Sequence, residues 1–179
     1  MAQKENSTYK RINHGFGPCF DSESEILVLG SFPSVKSREV SFYYGHPMNR
    51  FWPVIAKLYG KEVPITKEDK VSFCKDIHFA LYDVIDSCDI VGSSDVSIKN
   101  AVVTDLFPIL EGSKIKLIVL NGKKAGALFE KHQAPALNGR VPYVVLPSTS
   151  PANAAIKFET LCEKWKEALS PYCAQMRND

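Results

Sequence analysis

Residues 25–30, EILVLG, form a short apolar run that ends at a glycine, and this run is the starting point for predicting the fold. Such a run is typical of a strand that is buried on both faces of a parallel sheet. Two similar runs follow at 116–120 (KLIVL) and 143–146 (YVVL). Between and after them lie helical signals, including a capping-box pattern at 66–69 and an apolar helical face at 158–169. Strands that alternate with helices predict an α/β domain of three layers, with a mainly parallel central sheet flanked by helices.

The composition is that of an ordinary globular domain, with 45% hydrophobic and 23% charged residues among 179. We therefore predict a single domain over 1–179, in which 1–20 form an N-terminal extension that is at most partly ordered. The N-terminus is polar, and the longest apolar runs are far shorter than a membrane span, which favours a cytoplasmic protein. The five cysteines lack metal-ligand spacing, so we expect reduced thiols and no metal. We also expect a monomer without a cofactor.

The charge is unevenly distributed although the net charge is only +2. Two basic segments, 30–60 and 111–140, flank the acidic segment 61–99, which holds eight Asp or Glu against five Lys. This arrangement is consistent with a surface that faces phosphates, and equally with a solvated surface of mixed charge. Charge alone leaves both interpretations open.

The segment that follows the first strand, 30–48, is nearly twenty residues long and has no helical or strand periodicity. Connections of this length inside a compact domain are usually functional. The segment runs into FYYGHPMNRFW (42–52), in which Asn49 is expected to cap a short helix. Aromatic rings beside amide groups suit a pocket for a flat polar ring. Ligands of parallel sheets bind beyond the carboxyl ends of the strands, where this loop and the loop 147–153 both begin.

The sequence also resembles a known family. LVLGSFPSVKS (27–37) and YYGHPMNRFWPVI (43–55) resemble the first conserved block of the uracil-DNA glycosylase superfamily, whose mismatch-specific uracil/thymine branch reads GINPG…FAHPxNRFW. VVLPSTSPAN (144–153) stands in the place of the second block. Phe32 replaces the catalytic asparagine of the mismatch-specific branch, and Ser148-Thr149-Ser150 replaces its N-P-S or H-P-S. This combination is similar to the hypoxanthine-DNA glycosylase branch (family 6), also called DNA-deoxyinosine glycosylase.

The resemblance implies a fold, an activity and a set of roles. The protein would flip a deaminated base out of DNA, most plausibly hypoxanthine, and hydrolyse its N-glycosidic bond to leave an abasic site. Asn49 would be the catalytic asparagine, either orienting water through its carbonyl or donating an N–H to the departing base. Tyr44 would stack on that base. The other residues expected in the base pocket are Gly30, Ser31, Phe32, Pro33 and His46. Those expected to contact DNA are Ser148, Thr149, Ser150, Asn153 and Lys157.

Within the two blocks the only lysine is Lys36. A lyase needs an amine nucleophile, so this scarcity favours a monofunctional glycosylase over a lyase.

Three alternatives to this function remain open at this stage. A mismatch-specific uracil/thymine glycosylase would carry the same blocks. A non-catalytic module that binds a nucleobase or DNA would need no catalytic carboxylate, and would bind DNA without forming abasic product. A small hydrolase that uses Ser148 or His46 would have no affinity for DNA.

Overall fold

The computed structural model describes residues 8–92 and 94–176. Its strands, in chain order, are β1 (Lys10–Asn13), β2 (Ile26–Gly30), β3 (Phe79–Asp83), β4 (Ile85–Ile90), β5 (Lys99–Val103), β6 (Leu117–Asn121) and β7 (Tyr143–Leu146). Its α-helices are α1 (Val35–Val40), α2 (Phe51–Leu58), α3 (Lys67–Asp76), α4 (Phe107–Glu111), α5 (Lys123–His132), α6 (Ala134–Leu137) and α7 (Phe158–Leu169). Within the described ranges, no helix combines the length and the apolar character that crossing a membrane requires.

The predicted parallel sheet is confirmed. It has four strands in the order β3-β2-β6-β7, and every neighbouring pair is parallel. One face is covered by a core cluster to which α2, α3 and α7 contribute, and the other by a cluster that includes α4, α5 and α6. Helices on both faces of a parallel sheet give the three-layer α/β arrangement.

A second sheet was not predicted. The chain leaves the parallel sheet after Asp83 and continues as β4. β4 lies between β1 and β5 in an antiparallel sheet of three strands. The N-terminal segment is therefore built into the fold from β1 onward, whereas residues 1–7 lie outside the described residues. β1 (KRIN) and β5 (KNAVV) are short and contain no buried residue, so they carry no clear strand pattern.

Three helix starts show how local chemistry sets the connections. The capping box before α3 is confirmed, since Thr66 and Asp69 exchange both side-chain-to-backbone hydrogen bonds. The loop 30–48, expected to be irregular, contains the six-residue α1, whose start is capped by the Ser34 hydroxyl. Such a short helix shows no clear periodicity in the sequence. At α2 the N-cap is Arg50, not Asn49 as expected; the Asn49 side chain, one residue earlier, accepts a hydrogen bond from the Phe51 backbone N–H.

Candidate active site

Three strands of the parallel sheet end in one row. Gly30, the last residue of β2, is in register with Asp83 of β3, and Asn121 of β6 lies on the other side of Gly30. The strand residues two positions earlier all belong to the core cluster under α2 and α7, so the three terminal residues face the same side. Above them lies a cavity of about 350 Å³. This volume is at the lower end of the range for small-ligand pockets.

Most of the residues singled out from the sequence line this cavity. They are Gly30, Ser31, Phe32, Pro33, Tyr44, Asn49, Ser148, Thr149 and Ser150. His46 and Lys157 are not in its lining; both side chains are exposed, and His46 Nδ1 accepts a hydrogen bond from the Met48 backbone. Asn153 lines the adjoining groove instead. The structure therefore brings the two blocks together but leaves His46 and Lys157 outside the pocket.

The run Asn49-Arg50-Phe51-Trp52 holds the two blocks against each other. The Arg50 guanidinium donates to the backbone carbonyls of Ile156 (2.6 Å) and Asn153 (2.9 Å), and its backbone N–H donates to Thr149 O. Phe51 and Trp52 are buried in the core cluster under α2. Arginine and the two aromatic rings thus fix the loop after β7 relative to α2, which leaves Asn49 at the cavity.

Asn49 sits in a hydrogen-bond chain whose direction is determined. Its Oδ1 accepts from the Phe51 backbone N–H and from the Thr149 hydroxyl, both at 2.9 Å. The Thr149 hydroxyl in turn accepts from Asn121 Nδ2, and the Thr149 backbone N–H donates to Asn121 Oδ1. Because backbone N–H groups can only donate, they fix which amide atom of Asn49 and of Asn121 is oxygen. The Asn49 carbonyl therefore has two donors, and its NH₂ group is the part left free for other partners.

The structure gives Thr149 a different place from the one expected of it. Its relative exposure is 0%, and its hydroxyl is engaged with Asn49 and Asn121. A contact between this side chain and a DNA phosphate does not fit such burial. Ser148 and Ser150, by contrast, are partly exposed. The sequence showed a run of three short donors and could not reveal that the middle one faces inward.

Tyr44 lines the cavity in a strained backbone conformation. Its φ is +53°, and its ring stacks on Phe51 with the centroids 4.0 Å apart. Since Phe51 covers one face of the ring, a base can stack only on the other face. The hydroxyl is buried near the Asn121 side chain, but no hydrogen bond of ordinary geometry to it is present among the described residues. Burial, together with the nearby Asp83 carboxylate, raises the pKa of this hydroxyl far above its usual value, so the phenol stays neutral.

Asp83, His14 and Asn121 are site residues that sequence reasoning missed. Asp83 Oδ2 and His14 Nε2 are 2.8 Å apart, and both side chains are almost fully buried. A polar residue at the end of an otherwise apolar strand was the available signal for Asp83 and Asn121. No comparable signal marked His14, because it reaches the site through the unpredicted antiparallel sheet. Residues 8–92 and 94–176 contain no cluster of His, Cys, Asp and Glu arranged to hold a metal ion.

A larger groove of about 910 Å³ adjoins the cavity. The two share Asn121, Ser148 and Ser150 in their linings. Lys123 and Lys124, at the start of α5, also line the groove. Gly122 precedes them with φ +106°, and a side chain there would crowd Ser148, so glycine is needed at this turn. A small pocket beside a larger groove lined by two lysines could hold an extruded base and the adjoining DNA backbone.

Comparison with known proteins identifies the family of this chain. A family model described as the uracil DNA glycosylase superfamily matches residues 17–170. A protein of Methanosarcina acetivorans named hypoxanthine DNA glycosylase is 35% identical over 145 residues, which covers 79% of this chain and 89% of that protein. A protein of the same name from Methanosarcina barkeri is 35% identical over 115 residues, covering 63% and 72%.

A solved structure gives the same result. The solution NMR structure of a candidate uracil DNA glycosylase from Methanosarcina acetivorans superposes with a TM-score of 0.73 at 33% identity. The match covers 86% of this chain and 94% of that one. The family model and these relatives show that the chain belongs to the uracil DNA glycosylase superfamily.

Proposed function

We propose that this protein is a monofunctional DNA glycosylase that hydrolyses the N-glycosidic bond of deoxyinosine in DNA and leaves an abasic site. The observation that carries the proposal is the fixed amide of Asn49 in a base-sized pocket at the carboxyl edge of the sheet. The names of the two Methanosarcina relatives, hypoxanthine DNA glycosylase, support the choice of base.

The hydrogen-bond chain favours one of the two roles considered for Asn49. When the bond between C1′ and the base breaks, its electron pair goes to the base and a water oxygen bonds to C1′. Since the Asn49 carbonyl already accepts two hydrogen bonds, its NH₂ group is the part that can act on the substrate. An N–H held in place before the reaction stabilises the electron density that develops on the base. Asn49 therefore acts as a donor to the leaving base.

Base extrusion costs a few kcal/mol and requires a grip on the flanking phosphates. Lys123 and Lys124 occupy the first turn of α5, where the helix dipole favours anions over cations. Two lysines in that position are less favourable for the helix alone than acidic residues would be, and a bound phosphate would offset this. The adjoining groove, with Ser148 and Ser150, is where we place the DNA backbone.

The test is a glycosylase assay on labelled duplexes that carry hypoxanthine, uracil or xanthine, with alkali to cleave abasic sites. We expect cleavage of the hypoxanthine strand, and a loss of about 100-fold or more in Asn49→Ala, comparable to removal of one oxyanion donor. Asn13→Ala, an exposed asparagine of β1, is the matched control and should retain full activity. Cleavage of uracil alone would move the chain to the mismatch-specific branch, and DNA binding without product would leave a binding module.

A further inference from the structure

The floor of the pocket carries a carboxylate that the chemistry above does not use. Asp83 is 4% exposed and lines the cavity. Its Oδ2 pairs with His14, whereas its Oδ1 has no hydrogen-bond partner within the described part of the chain. This oxygen lies so close to Gly30 that a Cβ there would clash with it, so glycine is needed at that position. Because Asp83 lines the cavity, this oxygen is available to accept a hydrogen bond from a ligand, and such a bond would offset the cost of burying the carboxylate.

His14 holds the carboxylate in place. The imidazole is 3% exposed, and its Nε2 lies 2.8 Å from Asp83 Oδ2. A hydrogen bond donated by Nε2 to Oδ2 fixes the orientation of the carboxylate and turns its second oxygen away from the histidine. The pair therefore presents a carboxylate oxygen at the pocket floor.

We infer that Asp83 is a specificity-determining residue of this pocket. Its carboxylate accepts a hydrogen bond from the ring N–H that deamination creates on a base, and His14 is its positioning residue. The inference rests on the proposed function. Adenine presents a bare ring nitrogen, N1, which only accepts hydrogen bonds, and its deamination to hypoxanthine converts N1 into an N–H donor. A carboxylate accepts a hydrogen bond from that N–H and repels the lone pair on adenine N1. A pocket that binds its base through this hydrogen bond therefore rejects a base that lacks the N–H.

The same charge separates purines from pyrimidines. Uracil also has a ring N–H, but it departs through N1 as an anion, which a nearby carboxylate destabilises. Hypoxanthine can take a proton from solvent on its imidazole ring before the bond to C1′ breaks. The bond's electron pair then neutralises that charge, the water oxygen bonds to C1′ and releases one proton to solvent, and the base leaves neutral. Asp83 thus favours a deaminated purine over both adenine and uracil.

The first experiment compares single-turnover excision of hypoxanthine and uracil by the wild type, Asp83→Asn and Asp86→Asn. Asp86 is exposed and outside the cavity lining, so its variant is the matched control. Loss of one hydrogen bond to a charged group predicts a fall of about 10- to 100-fold for hypoxanthine in Asp83→Asn. The ratio of uracil to hypoxanthine excision should rise at least as much. An unchanged ratio in a folded variant that remains active would overturn the inference while leaving the proposed function intact.

The second experiment needs neither a variant nor catalysis. Calorimetric titration of the wild type, bound to a duplex with an abasic site, compares 9-methylhypoxanthine with 1-methylhypoxanthine. The first keeps the N1–H and carries its methyl group where the sugar would be, and the second lacks the N1–H. We expect the 9-methyl base to bind at least 10-fold more tightly. Equal affinity, including no binding of either base, would overturn the role of Asp83, whatever the excision assay shows.

Discussion

Substituting Thr149 by valine tests whether the hydrogen-bond chain to Asn49 is needed for catalysis. Valine has nearly the shape of threonine but removes the hydroxyl that donates to Asn49 and accepts from Asn121. Asn121 Nδ2 would then be buried without a partner, at a cost of about 1–3 kcal/mol. The lost bond to Asn49 Oδ1 adds about 1 kcal/mol, so the free energy of unfolding should fall by about 2–4 kcal/mol in total.

Thr149→Val should also reduce activity, because the Asn49 side chain becomes free to rotate. Its carbonyl would keep only the bond from the Phe51 backbone, and the amide could rotate away from the base. We expect excision of hypoxanthine to fall about 10- to 100-fold, with affinity for undamaged duplex unchanged. The assay is single-turnover cleavage at a temperature where circular dichroism shows the variant to be folded.

The matched control for this experiment is Thr149→Ser. It keeps the hydroxyl and loses only a methyl group, so it should lose about 1 kcal/mol of stability and retain most of its excision rate. Wild-type excision by folded Thr149→Val would refute the reasoning, because Asn49 would then work without its fixed orientation.

Three further predictions test the pocket and the groove. Gly30→Ala places a Cβ against the Asp83 carboxylate, so it should cost about 1–3 kcal/mol in thermal or chemical unfolding and reduce hypoxanthine excision. Tyr44→Phe removes a buried hydroxyl that makes no hydrogen bond of ordinary geometry in the described structure, so the melting temperature should stay level or rise, and a marked fall would reveal a missing contact. The double substitution of Lys123 and Lys124 by alanine should weaken binding to damaged and undamaged duplex alike. The slope of log affinity against log salt concentration should fall by the amount expected for about two lost phosphate contacts. A loss of affinity confined to hypoxanthine DNA would contradict the groove assignment.

The central sheet could be predicted because its strands are buried on both faces and therefore read as continuous apolar runs. Asn49 could be found because the motif around it is specific, and the structure explains that specificity through the contacts of Arg50 and Phe51. The inward orientation of Thr149 could not be found, since a threonine between two serines looks the same in sequence whether it faces solvent or a buried amide. It depends on Asn121, which is close only after β6 and β7 have paired.

The antiparallel sheet explains why the pair of Asp83 and His14 was hidden, and it also accounts for Phe32. Phe32 stands where the mismatch-specific branch has its catalytic asparagine, yet its side chain is buried and packs with β4 in a small core cluster. Its ring centroid lies 6.4 Å from that of His14, edge to face. At that position this chain has an apolar group that packs beside the histidine, and the histidine contacts Asp83 at the pocket floor. In the proposed mechanism the chemistry belongs to Asn49 and the selection of the base to Asp83. Asn49 is held by α2 and the parallel sheet, whereas the partner of Asp83 comes from a sheet whose strands the sequence scarcely marks.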